Sequence, residues 1–523
     1  MKNSSNYFAA NYFAVFAVFT LTAFALFACS HNEQASEPDV DAAEPITVND
    51  VGISNYNVIL RGDYSGDGAL EASQRLVDFF DELGVFSSMK TDWTEVYSGQ
   101  EFEVIIGEAD REEYDQFRSS LTDADANPAW GVTDGKLVFY APDESGLVDS
   151  VECFIEYFAD CVGDSANGST TAEGNEAGNS LALADGFKYE FTCSDRLLLK
   201  DGGTTMSELK DTILWGVNGH NHYHLPYTEE NTDEIIRLAA ELGSKIYRIN
   251  YNPTNETMLA YIKNVAELCH GYGMKVMLVM DNMSGTVDEI VARMEYMAAN
   301  LDGIIDYFQI FNETDIYCSK NDDGSFYNIT DWTGMSEGYY NPTRVAECVE
   351  KMAAATETFR RVAPDAKLVI NIGSRHYPML DWYVEAGIDW DIIAYDIYDL
   401  DLWNHADFFS EMEERYGKPY MVAECNYPAN SGKYLESEQA NWLRLFIEQM
   451  NNVNSDKLLA VIIYELMDES TIQEGDEWNG EAHFGIVNTE AGKPGEPKEA
   501  YRTVQGLLCG GEAEIKRVYE KID

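Results

Sequence analysis

The sequence predicts an α/β chain whose larger part is a TIM (β/α)8 barrel preceded by a smaller α/β domain. Two observations carry this. From about Leu209 onward, eight short apolar strands alternate with eight segments of helical periodicity, the pattern of a parallel sheet closed on itself. Before that, from about Pro45 to Phe191, strands and helices mix at a different spacing and include a hairpin. A chain of 523 residues exceeds one ordinary core, which also points to more than one domain.

The barrel strands read as Ile213–Val217, Lys245–Ile249, Lys275–Met280, Tyr307–Phe311, Lys367–Ile372, Ile392–Ile397, Tyr420–Ala423 and Leu459–Tyr464. The helices fall near Asn231–Leu242, Glu256–Gly271, Thr286–Leu301, Pro342–Val362, Met379–Ala386, Ala406–Tyr416, Glu436–Met450 and Pro497–Leu508. Pro342 and Pro497 are read as first-turn prolines, and Gly243, Gly271 and Gly273 lie near helix ends. The barrel is expected over 205–510, with a short amphipathic tail over 511–523.

The smaller domain is expected over 45–195. It contains strand-like 57–60 and 102–107, helical 70–83, 112–121 and 146–158, and a hairpin turning on Asp134-Gly135. A Gly-, Ser- and acid-rich excursion interrupts it over 162–179. No catalytic constellation is visible in it.

The first 29 residues read as an export signal: Lys2, then an apolar run from Tyr12 to Ala28, then Cys29. Residues 30–44 are polar and read as a tether. The Leu26-Phe27-Ala28-Cys29 phrase resembles a bacterial lipobox, which implies lipidation at Cys29, a membrane anchor and an extracellular, cell-surface location. The remaining eight of the nine Cys are scattered with no CxxC or zinc-type spacing, so they read as buried thiols or disulfides. The net charge of −57, from 92 acidic and 35 basic residues, argues against nucleic acid as a partner and disfavours a polyanionic substrate.

In a barrel of this kind chemistry sits at the C-terminal ends of the strands. Strand 4 ends in Asn312-Glu313 and strand 7 in Glu424. Two carboxyls flanking one cleft are what glycoside hydrolysis needs: one protonates the leaving oxygen and the other attacks the anomeric carbon. These residues resemble clan A of the glycoside hydrolases, over about 300 residues. The resemblance implies a retaining enzyme acting on O-glycosidic bonds of a poly- or oligosaccharide, with Glu313 as acid/base, Glu424 as nucleophile and no metal or organic cofactor. It further implies that Arg248, ending strand 2, bonds the nucleophile, that Asn312 holds the sugar 2-hydroxyl, and that Tyr398 (or Tyr395, three residues earlier) bonds the nucleophile. His376 is expected to touch one of the carboxylates, and a histidine of the 220–224 cluster, His224 among them, to bind sugar hydroxyls. Where the clan carries Trp after strand 8, this chain has Tyr464-Glu465-Leu466-Met467; Tyr464 or Met467 takes that place, or Glu465 binds a hydroxyl. The smaller domain resembles the one preceding the barrel in family 20 hexosaminidases and α-glucuronidases.

Two rival readings remain from the residues. His220, His222, His376, His405 and Asp468 are spaced like an amidohydrolase metal site on the same barrel. Alternatively, the altered end of strand 8 fits a carbohydrate-binding lipoprotein without turnover.

Overall fold

The computed structural model describes residues 47–48, 51–56, 58–62, 66–83, 85, 87–91, 102–163, 182–200, 209–280, 283–328, 334–373, 375–399, 402, 404–428, 435–469 and 480–522. The export signal, Cys29, the tether, all but the first two residues of the 162–179 excursion, Trp332 and Trp403 lie outside the described residues. Among the described residues no helix is long and apolar enough to cross a membrane.

The chain forms two compact units, residues 1–192 with 521–523 and residues 193–520. In the first unit, strand 58–61 pairs in parallel with 88–91 and with 104–106, which in turn pairs with 136–140. Strands 129–133 and 136–140 form an antiparallel hairpin. Its two turn residues, Asp134 and Gly135, have φ of 47° and 75°, the left-handed pair that a tight hairpin needs. Helices Asp67–Glu82 and Glu144–Gly163 bring Phe79 and Phe154 edge to face at 6.1 Å beside the fully buried Trp130.

The second unit is a closed barrel of eight parallel strands. They are β1 (Leu214–Gly219), β2 (Ile246–Asn250), β3 (Lys275–Met280), β4 (Tyr307–Ile310), β5 (Leu368–Gly373), β6 (Ile392–Ile397), β7 (Tyr420–Cys425) and β8 (Leu458–Ile463). Two apolar sets separate cleanly. Residues such as Val217, Ile249, Phe308, Ile370 and Val422 pack outward against the helices. Ile246, Met277, Tyr307, Val369, Ile392, Ala394, Met421, Ala423, Ala460 and Ile462 fill the inside. Period-two alternation along each strand produces the two faces. Helix starts are locally encoded: Thr286 and Glu289 form a capping box before Val287–Leu301, and Asn341 with Pro342 opens Pro342–Val362.

Two expectations are corrected. Pro497 is not in a helix: it ends the strand Lys493–Pro497, hairpinned with Val487–Glu490, and the last helix starts at Glu499. Its fixed φ suits an outer strand as well as a helical first turn, and the sequence around it does not separate the two. The tail, expected as a short amphipathic segment without assigned structure, is a strand over Ala513–Lys521. All eight described cysteines are free thiols, and Cys153, Cys269, Cys318, Cys348, Cys425 and Cys509 are buried.

Candidate active site

The interior alternation that builds the barrel also delivers the polar residues of its mouth. Above the apolar filling, Asn218, Arg248, Gln309, Asn371, Asp396 and Glu424 are all buried. Two local breaks in the alternation matter most. On β7, Val422 pairs with Tyr395 and Glu424 with Asp396, so Ala423 is one residue extra. This bulge lets both Ala423 and Glu424 face inward; regular alternation would turn Glu424 toward the helices. After β4, Phe311 and Glu313 adopt positive φ, 59° and 39°. Phe311 packs outward while Asn312 and Glu313 both line the cavity. Left-handed non-glycine residues are strained, and a pair flanking one asparagine marks a backbone held by its surroundings. One such restraint is the bond from the Glu313 N–H to Asn371 Oδ1, 2.8 Å.

Glu313 and Glu424 line one cavity of about 410 Å³, together with Asn218, His220, Arg248, Asn250, Asn312, Tyr398, Tyr464 and Phe484. Both Glu424 oxygens are held. Arg248 Nη1 donates to Oε1 at 2.8 Å, and the Tyr398 hydroxyl donates to Oε2 at 2.7 Å. Arg248 also donates to Gln309 at 3.1 Å, to Asn312 at 2.9 Å and to Asn218. Asn312 Oδ1 additionally accepts from Gln309 at 2.7 Å, which fixes its amide with the nitrogen toward the cavity. Burial opposes the Arg248 charge, but Glu424 and Asp396 more than offset it and raise its pKa. Burial, then the charge of Glu424, likewise pushes the Tyr398 hydroxyl upward.

Asp396 sits beneath the pair. Burial, then the charges of Glu424 and Glu313, push its carboxyl well above the usual carboxylate range. One oxygen accepts from Asn371 at 2.9 Å, and the other makes no hydrogen bond among the described residues. Asn371 therefore links a buried acid to the backbone of Glu313.

The remaining expected residues are placed as follows. Tyr395 points outward against Phe408, Phe409 and Tyr420, so of the two tyrosines it is Tyr398 that meets Glu424. His376 pairs through Nδ1 with the buried Asp315, which also accepts the Gly373 N–H at 3.1 Å. A Cβ on Gly373 would stand 3.0 Å from Asp315 Oδ2 and 3.8 Å from Glu313 Oε1, so a glycine lets β5 pass close to both. Tyr339 and Tyr340 are buried and pack on His376. Tyr464 reaches the cavity, but Glu465 lies behind its wall, fully buried and bonded by the Tyr227 hydroxyl at 2.9 Å. His224 bonds Glu469 at 2.9 Å, and His220 Nε2 lies 2.7 Å from the same carboxylate. Burial works to raise the Glu469 pKa, but bonds and charge from both histidines win and hold it at about 2.

The amidohydrolase set is not assembled. His222 bonds Tyr251, His405 bonds Gln449, and Asp468 pairs with Lys498. Among the described residues, His220, His224 and Glu469 are the one group of three placed to hold a metal ion. Glu469, Asn218, Asn371 and Asp396 carry no sequence signal of their own.

No protein-family model matches the chain. No curated protein matches it either. Solved structures similar to it include the β-glucosidase from Thermotoga maritima in complex with glucoimidazole, at 13% identity and a TM-score of 0.44, covering 57% of this chain and 98% of that one. The same enzyme in complex with noeuromycin gives 13% identity and a TM-score of 0.45, over 58% and 99% of the two chains. The β-glycosidase BGL167 gives 14% and 0.42, over 57% and 96%.

Proposed function

We propose that this chain is a retaining glycoside hydrolase that cleaves O-glycosidic bonds of a poly- or oligosaccharide, with Glu313 as acid/base and Glu424 as nucleophile. The observation that supports this best is the unequal treatment of two carboxylates in one cavity. Glu424 is clamped at both oxygens by Arg248 and Tyr398, as an attacking group must be to meet one carbon at one angle. Glu313 lies on the strained turn after β4, lining the same cavity. The retaining route needs the two carboxyls about 5–5.5 Å apart, against about 6.5–9.5 Å for inversion.

In the first half-reaction Glu313 gives its proton to the leaving oxygen while a Glu424 oxygen bonds the anomeric carbon. In the second, Glu313 takes a proton from water, whose oxygen displaces Glu424. The Asn312 amide, its oxygen already committed to Arg248 and Gln309, has its N–H groups available for a sugar hydroxyl. Tyr464 and Phe484 offer aromatic faces to the sugar ring. The chemistry needs no cofactor. The Cys29 lipobox supports a cell-surface, membrane-anchored protein acting on extracellular carbohydrate.

The test is a screen of aryl glycosides and plant polysaccharides with the wild type, Glu313→Gln and Glu424→Gln. Turnover should fall by about 10³-fold or more in each variant, and NMR should show the product anomer matching the substrate. An inverted product would reassign Glu424 as a base. Unchanged rates in both variants would end the two-carboxylate reading.

A further inference from the structure

His220 and His224 take no part in the carboxylate chemistry, yet they build a second cluster beside it. His220 Nε2 faces three oxygens at once: Glu469 Oε1 at 2.7 Å, the Tyr464 hydroxyl at 3.1 Å and Glu465 Oε2 at 3.3 Å. His224 Nδ1 meets the other Glu469 oxygen at 2.9 Å. The side chains of Glu465 and Glu469 are each 1% exposed and that of His220 8%. One imidazole nitrogen carries at most one proton, so it cannot answer two carboxylates and a hydroxyl. Glu469 has no lysine or arginine within ion-pair distance among the described residues; its partners are the two imidazoles. Two carboxylates withdrawn from water beside two imidazoles and the Tyr227 hydroxyl make a pocket of net negative charge that suits a cation.

We propose that His220, His224 and Glu469 bind a divalent transition-metal cation. Their donor atoms already lie within 4.8 Å of one another. Bonds of about 2.0–2.2 Å in a tetrahedron would set ligand atoms about 3.4 Å apart, so the close imidazole–carboxylate contacts open by under about 1 Å to admit the ion. Two imidazoles and a carboxylate suit zinc; calcium and magnesium prefer all-oxygen sites. Three protein ligands leave a position open, and His220 places the cluster on the wall of the cavity that holds Glu313 and Glu424. On the hydrolase reading, and only on it, that open position takes a sugar hydroxyl. The cation itself does not depend on that reading.

The experiment uses the full-length chain in detergent, stripped with EDTA, dialysed and titrated with zinc chloride against a chromophoric chelator, with metal content measured by mass spectrometry. The wild type should bind one zinc per chain, and cobalt(II) in its place should give the visible absorption of a four-coordinate site. Glu469→Gln and His224→Gln should bind at least about tenfold more weakly. His224 is 37% exposed, so its replacement leaves the fold intact, which circular dichroism checks. Glu313→Gln should keep the full equivalent. No saturable zinc in the wild type, or full occupancy in both cluster variants, overturns the proposal. Hydrolysis lost only in Glu313→Gln would then leave the carboxylate reading standing, whereas bound zinc without turnover would leave only the metal site.

Discussion

Tyr398 and Asp396 lie two residues apart on the same face of β6 and the chain beyond it, and they make opposite demands on the site. The Tyr398 hydroxyl makes one short bond to Glu424. Tyr398→Phe removes it at constant shape, and kcat/KM should fall by about 10–100-fold with little change in melting temperature. Asp396 has a folded pKa above its unfolded one. The unfolded chain therefore releases a proton that the folded chain retains, and stability falls as pH rises through the ordinary carboxylate range. Asp396→Asn keeps an acceptor for Asn371 and removes that slope, so it should raise the melting temperature at pH 7 but not at pH 3; an equal shift at both would refute the assignment. The strand-end positions of Arg248, Asn312, Glu313, Tyr398 and Glu424 were legible because a strand's end fixes which residues reach a barrel mouth. The bond between His220 and Glu469 was not, because it joins residues from opposite ends of the barrel sequence, and only closure between β1 and β8 brings them together.

At the scale of the element, the bulge in β7 lets Ala423 and Glu424 face the same way. Deleting Ala423 would place Glu424 directly after the outward Val422 and still opposite Asp396, so regular alternation keeps Glu424 inward while the barrel filling loses the Ala423 side chain. Activity should fall but persist. Ala423→Gly, which keeps the residue count, should retain most of it while lowering stability by about 1 kcal/mol. Equal loss in both variants would show that packing at Ala423, not the extra residue, matters. The strands themselves were readable from apolar runs, and the helices from their period and caps. Both corrected stretches are short extended segments near the C-terminus, where a proline or a weak amphipathic pattern fits strand and helix alike.

For the whole molecule, charge dominates. A net charge of −57 makes the folded chain repel itself, and salt screens that repulsion. Raising sodium chloride from about 0.01 M to about 0.5 M should therefore raise the melting temperature by a few degrees. Acid acts through particular groups as well. Glu469, held at about 2, adds stability that is complete above the usual glutamate value and lost as pH falls toward 2. Urea midpoints measured down the acid side should drop more gently in Glu469→Gln than in the wild type.

The apolar filling inside the strands, from Ile246 and Met277 round to Ala460 and Ile462, has one more consequence. It makes the barrel a blind well. Among the described residues, the cavity above that filling is lined by Tyr464 and Phe484. A molecule that enters above the filling leaves on the same side, past the residues that admitted it, and one that lodges there blocks both directions.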